Sequence, residues 1–252
     1  MAAVTGGGSG LGRAAALALA REGAAVVVND VDEPGAAETV SLIASAGGPA
    51  VTSIGDVRIK GDVEALVQTA VSRFGGLDLM HANAAISRYR ELEAAGEEEL
   101  DAILGINLKG PLLCAQAAIP ALRERGGGSI VFVSSVQAFL GLPGCVTYAA
   151  AKAGLVAAAR TLSVEVGKDG IRVNAIAPGT IDTPMLQRDL EPMERGQRGA
   201  FLERVRHANA LGRIGEPDEV ASLVVFLASD EASYITGACI TVDAGFLAVK
   251  TF

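Results

Sequence analysis

The sequence is poor in several residue types, and each shortage excludes a class of protein. It has no tryptophan, 4% aromatic residues, three cysteines and two histidines. Cys114, Cys145 and Cys239 are odd in number and share no CxxC spacing, so we expect small buried side chains rather than disulfides. Free thiols of this kind are typical of a reducing cytoplasm. No cluster of His, Cys and Asp suggests a ligand set, so we expect no metal.

Long apolar runs and an excess of basic residues are also absent. The longest apolar stretches, such as residues 14–20 and 223–228, are far shorter than the roughly 20 residues that span a bilayer. No basic segment followed by a hydrophobic one opens the chain, so we expect a cytoplasmic protein without a membrane partner. The 29 acidic and 21 basic residues give a net charge of −8. Because nucleic-acid binding needs clustered Lys and Arg, DNA and RNA are not expected as partners.

What the sequence does contain is apolar material arranged in an alternating order. Half of the 252 residues are hydrophobic. Short β-branched runs predict buried strands over residues 24–29, 77–81, 129–133, 171–177 and 238–242. Helical segments are predicted to begin at Leu11, Pro34, Lys60, Glu98, Tyr148 and Pro217. Strands that are apolar throughout and alternate with helices predict one α/β domain over residues 1–252, a doubly wound parallel sheet of the Rossmann type.

One segment interrupts this alternation. Residues 185–214 are polar and charged, and they lie between a predicted strand and the next helix. Ligands of open α/β sheets bind beyond the carboxyl ends of the strands. We therefore predict that this segment is a helical lid over a substrate site. The alternative interpretation is a surface excursion with no gating role.

A glycine-rich loop, TGGGSGLG over residues 5–12, follows the first predicted strand and precedes an alanine-rich helix. Glycines at 6, 10 and 12 allow a tight turn, close approach of the backbone to a pyrophosphate and close packing of helix on strand. Flexible turns can have the same composition. The position between strand and helix nevertheless predicts a dinucleotide site.

Asp30 closes the second predicted strand at about the offset expected for a contact with the adenosine ribose. Its carboxylate can accept hydrogen bonds from both ribose hydroxyls. A 2′-phosphate at about 4 Å would be repelled by on the order of 4 kcal/mol at an effective dielectric constant of 20. Neither Ser9 nor Val31 offers a compensating cation. The sequence therefore predicts NAD rather than NADP, although Asp30 could also serve as a simple loop cap.

These residues, together with others along the whole chain, resemble the short-chain dehydrogenase/reductase family. The matching pieces are Thr5-Gly6-x-x-x-Gly10-x-Gly12, Asp56-Val57, Asn83-Ala84-Ala85, Asn107, Ser135, Tyr148-x-x-x-Lys152, Asn174 and Pro178-Gly179-x-x-x-Thr183. The resemblance implies these cofactor-binding residues: Gly6, Ser9, Gly10, Leu11, Gly12, Asp30, Asp56, Val57, Asn83, Ala84, Tyr148, Lys152, Pro178, Gly179, Ile181 and Thr183. By the same resemblance, Asp56 would bind the adenine edge with Val57 beside it, Asn83 would steady the central strand, and residues 178–183 would enclose the nicotinamide end.

Two positions depart from the family pattern. Where the family usually has Asn-Asn-Ala-Gly, this chain has Ala-Asn-Ala-Ala over residues 82–85, which adds a methyl group near the cofactor. The first strand is also expected to be short, because only Ala2, Ala3 and Val4 separate Met1 from the glycine loop.

The predicted catalytic residues are Asn107, Ser135, Tyr148 and Lys152. Tyr148 and Lys152 are four residues apart on a predicted helix, so they share a face. We expect the Lys152 ammonium to lower the pKa of Tyr148 from its usual value near 10. Ser135 follows a buried strand, where its hydroxyl can hold the substrate oxygen. The resemblance implies that Asn107 bends its helix and holds a water, and that Lys152 binds the nicotinamide ribose.

The resemblance implies hydride transfer between a nicotinamide and a secondary alcohol or ketone, with Tyr148 as general acid and base. Two alternatives stay open. One is a reductase of 3-oxoacyl thioesters on acyl carrier protein, for which Asp30 and the acidic charge are unfavourable. The other is a regulatory protein that senses NAD(H) without catalysis. Alanine-rich helices from Glu98 and Tyr148, which pair between subunits in relatives, imply a homotetramer.

Overall fold

Seven strands and nine α-helices alternate along residues 1–249, the part of the chain that the computed structural model describes. The strands are β1 (Ala2–Thr5), β2 (Val26–Asp30), β3 (Ala50–Ile54), β4 (Leu79–Ala82), β5 (Gly128–Val133), β6 (Ile171–Pro178) and β7 (Cys239–Val242). The helices are α1 (Gly10–Arg21), α2 (Glu33–Ser45), α3 (Lys60–Phe74), α4 (Glu97–Leu104), α5 (Gly110–Glu124), α6 (Val146–Val166), α7 (Pro184–Leu190), α8 (Arg195–His207) and α9 (Pro217–Ala228). This is the predicted doubly wound α/β fold.

All strands pair in parallel, in the order β3-β2-β1-β4-β5-β6-β7. The chain runs outward from β1 through β2 to β3, then returns to place β4 on the other side of β1. In sheets of this kind, the crevice beyond the carboxyl ends at such a reversal is the place where ligands bind. The loops after β1 and β4 therefore frame the candidate site.

The sheet is apolar on both faces because each face has its own hydrophobic core. On β2, Val27 packs in the core under α3, α5 and α6, while Val26 and Val28 pack in the core under α1, α2 and α9. All three valines are 0% exposed. Full burial of such a side chain stabilises the fold by roughly 1.5–3 kcal/mol.

Two elements differ from the sequence predictions. Strand β3 was not predicted, because it lies at the sheet edge and its residues are half-buried or exposed rather than continuously apolar. The helix predicted from Glu98 is two helices, α4 and α5, joined by a π-helical turn over Gly105–Lys109. The other predicted strands begin or end within two residues of the observed bounds.

The predicted lid segment, residues 185–214, contains most of α7 and all of α8. Both helices follow the carboxyl end of β6, as the prediction required.

The continuous helical stretch Glu97–Glu124 is long and apolar enough to cross a membrane by length and composition. Here it packs within the domain, α5 lying against β4 and α3. Core helices of α/β domains pass the same length test.

Candidate active site

The glycine loop forms a turn in which side chains would collide. Gly6 and Gly10 have φ angles of 63° and 51°, a region that favours glycine. A Cβ atom added to Gly12 would lie 2.0 Å from the carbonyl oxygen of Gly6. Ser9 is the N-cap residue of α1, but its hydroxyl makes no hydrogen bond to the helix. The first backbone N–H groups of the helix, from Gly10 and Leu11 onward, are therefore not capped by that side chain. Such a cradle at a helix N-terminus fits the pyrophosphate of a dinucleotide.

Asp30 is fixed beside this cradle by backbone hydrogen bonds. The N–H of Gly8 donates to Oδ2 of Asp30 at 2.9 Å, and the N–H of Asp32 donates to Oδ1 at 3.0 Å. A Cβ on Gly8 would lie 2.8 Å from Oδ2, so this glycine permits the contact. Each oxygen retains a lone pair, and the carboxylate can therefore accept hydrogen bonds from ribose hydroxyls.

Asn83 holds the cradle from the neighbouring strand. Its Nδ2 donates to the carbonyl oxygen of Thr5 at 2.9 Å and to that of Gly6 at 3.2 Å. The Thr5 hydroxyl in turn accepts hydrogen bonds from the N–H groups of Asn83 and Ala84. The loops after β1 and β4 are thus joined at the reversal of strand order. Thr5, which the sequence suggested only as a motif position, is part of this joint.

Asp56 and Val57 lie beyond the end of β3, on the same edge of the sheet. The Asp56 carboxylate accepts hydrogen bonds from Arg58, at 3.1 Å from Nε to Oδ1 and 2.9 Å from Nε to Oδ2. The hydrogen bond from Arg58 lowers the pKa of Asp56. Val57 is buried. The structure therefore places an ionised carboxylate and an apolar side chain where the adenine contact was predicted.

The segment after β6 closes the opposite side of the groove. Pro178 ends the strand, the N–H of Gly179 donates to the carbonyl of Val242, and Ile181 is buried. Thr183 caps α7 by accepting a hydrogen bond from the N–H of Leu186. A Cβ on Gly10 would lie 3.5 Å from Cβ of Thr183. Predicted cofactor residues from the glycine loop and from the segment after β6 therefore meet in the fold.

Ser135, Tyr148 and Lys152 come together beside this groove. Ser135 follows β5 and is buried, and its side chain is close enough to Tyr148 to affect the pKa of that phenol. Tyr148 and Lys152 lie one turn apart near the start of α6, with Nζ of Lys152 5.5 Å from the centre of the tyrosine ring. Nζ also donates to the carbonyl oxygen of Val133 at 2.8 Å. The hydroxyls of Ser135 and Tyr148 are therefore available to one substrate oxygen.

The electrostatics of this group differ from the sequence prediction. Burial raises the pKa of Tyr148 well above its ordinary value, and Tyr89 and Asp189 add to the effect, while the neighbouring Ser135 side chain opposes it. Burial also lowers the pKa of Lys152 to about 7. The prediction that Lys152 lowers the pKa of Tyr148 is therefore wrong, because the pKa is raised instead. Residue spacing indicated proximity but not the depth of burial, which here outweighs the charge.

Asn107 lies in the π-helical turn between α4 and α5 and is completely buried. Its Oδ1 accepts a hydrogen bond from the N–H of Ile86 at 2.9 Å, and its Nδ2 donates to the carbonyl of Ile86 at 2.8 Å. The predicted local distortion of the helix is present. The amide also fixes the segment after β4, a role that the sequence did not suggest.

Further polar side chains at the site were not predicted. Tyr89 and Asp189 both act electrostatically on Tyr148, and a hydrogen bond joins Ser87 to Asp189. These residues come from two segments far apart in sequence, and no motif connects them.

Among residues 1–249, no three His, Cys, Asp or Glu side chains come together in a way that could hold a metal ion.

Comparison with known proteins places these features in a family. A family model described as enoyl-(acyl carrier protein) reductase matches residues 6–247. The chain is 37% identical to the 3-oxoacyl-[acyl-carrier-protein] reductase FabG of Thermotoga maritima over 97% of this chain and 96% of that protein. It is 38% identical to levodione reductase of Leifsonia aquatica over 96% of this chain and 92% of that protein.

A solved structure gives the same result. The crystal structure of a short-chain type dehydrogenase/reductase from Mycobacterium marinum superimposes with a TM-score of 0.89 at 32% identity, covering 97% of this chain and 94% of that one. The matches span nearly the full length of each protein, and the family consists of oxidoreductases that bind NAD or NADP. The chain therefore belongs to the short-chain dehydrogenase/reductase family.

Proposed function

We propose that this protein is an NAD-dependent oxidoreductase that interconverts a secondary alcohol and a ketone. The observation that carries the proposal is the convergence of Ser135, Tyr148 and Lys152 at the sheet edge beside the glycine cradle. A bound nicotinamide ring supplies the acceptor or donor of the hydride. The substrate is a small molecule whose reacting oxygen lies between two hydroxyls of the protein.

The residues of the chain divide the remaining work. Ser135 orients the substrate oxygen by hydrogen bonding, and Tyr148 accepts its proton during oxidation or returns one during ketone reduction. Because burial raises the pKa of Tyr148, this side chain holds its proton at neutral pH. It is thus ready to act as an acid in reduction, and oxidation requires its deprotonation. We therefore expect oxidation rates to increase with pH. Lys152, held by the carbonyl of Val133, lies where it can contact a cofactor ribose.

The preference for NAD rests on Asp30 and on the contacts of a neighbouring cation. Arg13 lies beside the loop, but its Nη2 donates to the Glu38 carboxylate at 2.6 Å and its Nε to the Thr39 hydroxyl at 3.0 Å. Arg13 is thereby committed to neighbouring groups. A 2′-phosphate would meet the charge of Asp30 without a free guanidinium to offset it.

The alternative substrate class is a 3-oxoacyl thioester, favoured by the 37% identity to FabG. The net charge of −8 is unfavourable for docking an acidic carrier protein.

We also propose a homotetramer, since apolar side chains on the helices expected at subunit contacts are exposed, among them Leu112 on α5 and Val164 on α6. The three free cysteines suit a cytoplasmic protein.

The test is a set of initial rates with NAD and NADP across linear, cyclic and aromatic secondary alcohols, with acetoacetyl-CoA and NADPH as the thioester arm. We expect NADH formation from alcohols that falls at least about 10³-fold in Tyr148→Phe while NADH binding is retained, because general acid–base catalysis contributes 10²–10⁴-fold. Turnover of acetoacetyl-CoA with NADPH alone would replace the proposal by the thioester alternative. Tight NADH binding without any turnover would indicate a sensor.

A further inference from the structure

Several polar side chains near the catalytic group have no part in the reaction itself. Ser87 and Tyr89 lie on the segment after β4, Gln137 follows the catalytic Ser135, and Asp189 lies on α7. We call Ser87, Tyr89, Gln137 and Asp189 the acceptor wall. They come from three separate parts of the chain, so their meeting depends on the fold.

The segment that carries Ser87 and Tyr89 is held at both ends. Asn107 makes two hydrogen bonds to the backbone of Ile86. The N–H of Arg90 donates to the carbonyl oxygen of Gly144 at 2.9 Å, immediately before α6. Tyr89 is thereby placed next to the first turn of the helix that carries Tyr148.

Asp189 joins this wall through Ser87, whose Oγ donates to Oδ1 of Asp189 at 2.6 Å. Among the described residues, no hydrogen bond reaches Oδ2. Asp189 is partly withdrawn from water, and this burial raises its pKa. The carboxylate also acts electrostatically on Tyr148, Tyr89 and Cys145, so it lies within electrostatic range of the catalytic tyrosine.

Gln137 completes the wall from the catalytic side. Its backbone N–H donates to Oγ of Ser135 at 3.2 Å, which fixes Gln137 beside the hydroxyl that orients the substrate oxygen. Its side chain is close enough to Tyr89 to lower the pKa of that phenol. Its Oε1 is buried and has no hydrogen-bond partner in the described part of the chain. A buried acceptor without a donor is destabilising unless an ordered water or a ligand satisfies it, and a substrate hydroxyl can take that place.

We propose that Gln137 and Asp189 accept hydrogen bonds from a second hydroxyl group of the substrate, so that the substrate is a neutral diol or hydroxyketone. The inference rests on the proposed alcohol–ketone activity of the same site. An acceptor wall with a carboxylate attracts hydroxyl donors and repels carboxylates and phosphates. Exposed apolar side chains nearby, Phe139, Leu142 and Val146, would contact the hydrocarbon part of such a molecule.

The experiment compares two probes that differ by one hydroxyl, cyclohexanol and 1,2-cyclohexanediol, with 3-hydroxybutanoate as the anionic probe. Wild-type protein should have a kcat/KM at least tenfold higher for the diol than for cyclohexanol. This ratio should fall at least fivefold in Gln137→Leu and in Asp189→Asn. Because the ratio compares two probes in the same variant, a general change in the rate of proton transfer at Tyr148 cancels. Asp189→Asn should also raise the relative kcat/KM for 3-hydroxybutanoate.

Glu191→Gln is the matched control, because it makes the same chemical change at an exposed carboxylate two residues from Asp189. Melting temperature and NADH affinity establish that each variant is folded. Calorimetric titration of the diol and of cyclohexanol into the NADH complex measures the same discrimination without turnover. A diol preference that survives both substitutions, or no preference in either assay, would overturn the inference. Absence of turnover with retained discrimination in binding would reject the alcohol–ketone activity and support the acceptor wall.

Discussion

The chemistry of the site is carried by single side chains whose properties depend on burial. Lys152 is 1% exposed and has a pKa lowered to about 7, and burial likewise opposes ionisation of Tyr148. At neutral pH Tyr148 is therefore protonated and uncharged, while Lys152 is only about half protonated. Spacing along α6 allowed their pairing to be predicted. Their protonation could not be predicted, because it depends on the depth of the surrounding structure.

At the same scale, Asp30 alone is expected to control the cofactor. In Asp30→Ser the repulsion of a 2′-phosphate is lost together with two acceptors for ribose hydroxyls. We expect the ratio of kcat/KM with NAD to that with NADP to fall at least about tenfold, a change of about 1.4 kcal/mol. Initial rates with both cofactors on one alcohol measure it. Glu33→Gln, an exposed carboxylate nearby, should leave the ratio unchanged, and an unchanged ratio in Asp30→Ser would contradict the assignment.

Between elements, the contacts that assemble the site are mostly loop to strand or loop to helix. The strands β1, β2, β4, β5 and β6 could be predicted because buried parallel strands are apolar throughout. Edge strand β3 lacks that pattern, and the π-helical turn around Asn107 leaves no periodic signal. Nor could the meeting of Ser87 with Asp189 be predicted, since it depends on how α7 packs against the segment after β4.

The junction of β1 and α1 gives a test of packing between elements. In Gly12→Ala the new methyl group would require a backbone shift of about 1 Å, since its Cβ would lie 2.0 Å from the Gly6 carbonyl oxygen and Cβ contacts under 3.0 Å are essentially never seen. We expect NADH affinity to weaken more than about tenfold, measured by fluorescence titration. Gly61→Ala is the control, because nothing lies within 4 Å of its added Cβ on α3. It should gain about 0.5–1 kcal/mol of stability from helix propensity. Equal NADH affinities in the two variants would refute the packing argument.

Strand β4 also contains a buried histidine that should make the protein sensitive to acid. Burial lowers the pKa of His81 to about 4, and its Nδ1 has no hydrogen-bond partner among the described residues. Below pH 6.5 the unfolded chain binds a proton at His81 that the folded chain does not bind. Stability therefore falls as the pH drops from 6.5 towards 4, by about 3 kcal/mol at most, and this loss levels off below pH 4.

Urea denaturation of wild type and His81→Leu at pH 7 and pH 4.5 isolates this contribution. The free energy of unfolding should decrease less in His81→Leu than in wild type over this interval. His207→Gln, at a side chain that is 84% exposed, is the control and should follow the wild type. Parallel decreases in wild type and His81→Leu would show that His81 does not titrate differently in the folded and unfolded chain.

For the molecule as a whole, the remaining question is what covers the apolar surface of the long helical stretch. Within Glu97–Glu124, α5 packs against the sheet on one side, yet Leu104 and Leu112 are 38% and 41% exposed. An apolar helix face of this kind is typical of a subunit contact. The proposed tetramer would bury it, and the membrane alternative would place it in lipid.

A charge introduced on this surface distinguishes the tetramer from the membrane-bound alternative. Leu112→Glu should convert a tetramer into smaller species by sedimentation, because burying an unpaired carboxylate in a subunit contact is costly. Leu42→Glu, on α2 at a similar exposure of 44%, should leave assembly unchanged. If wild-type protein sediments as a monomer in detergent-free buffer, the tetramer is wrong. If it requires detergent to stay in solution, the apolar face binds lipid instead. Because α4 and α5 carry the turn that holds Asn107, loss of assembly should also reduce kcat.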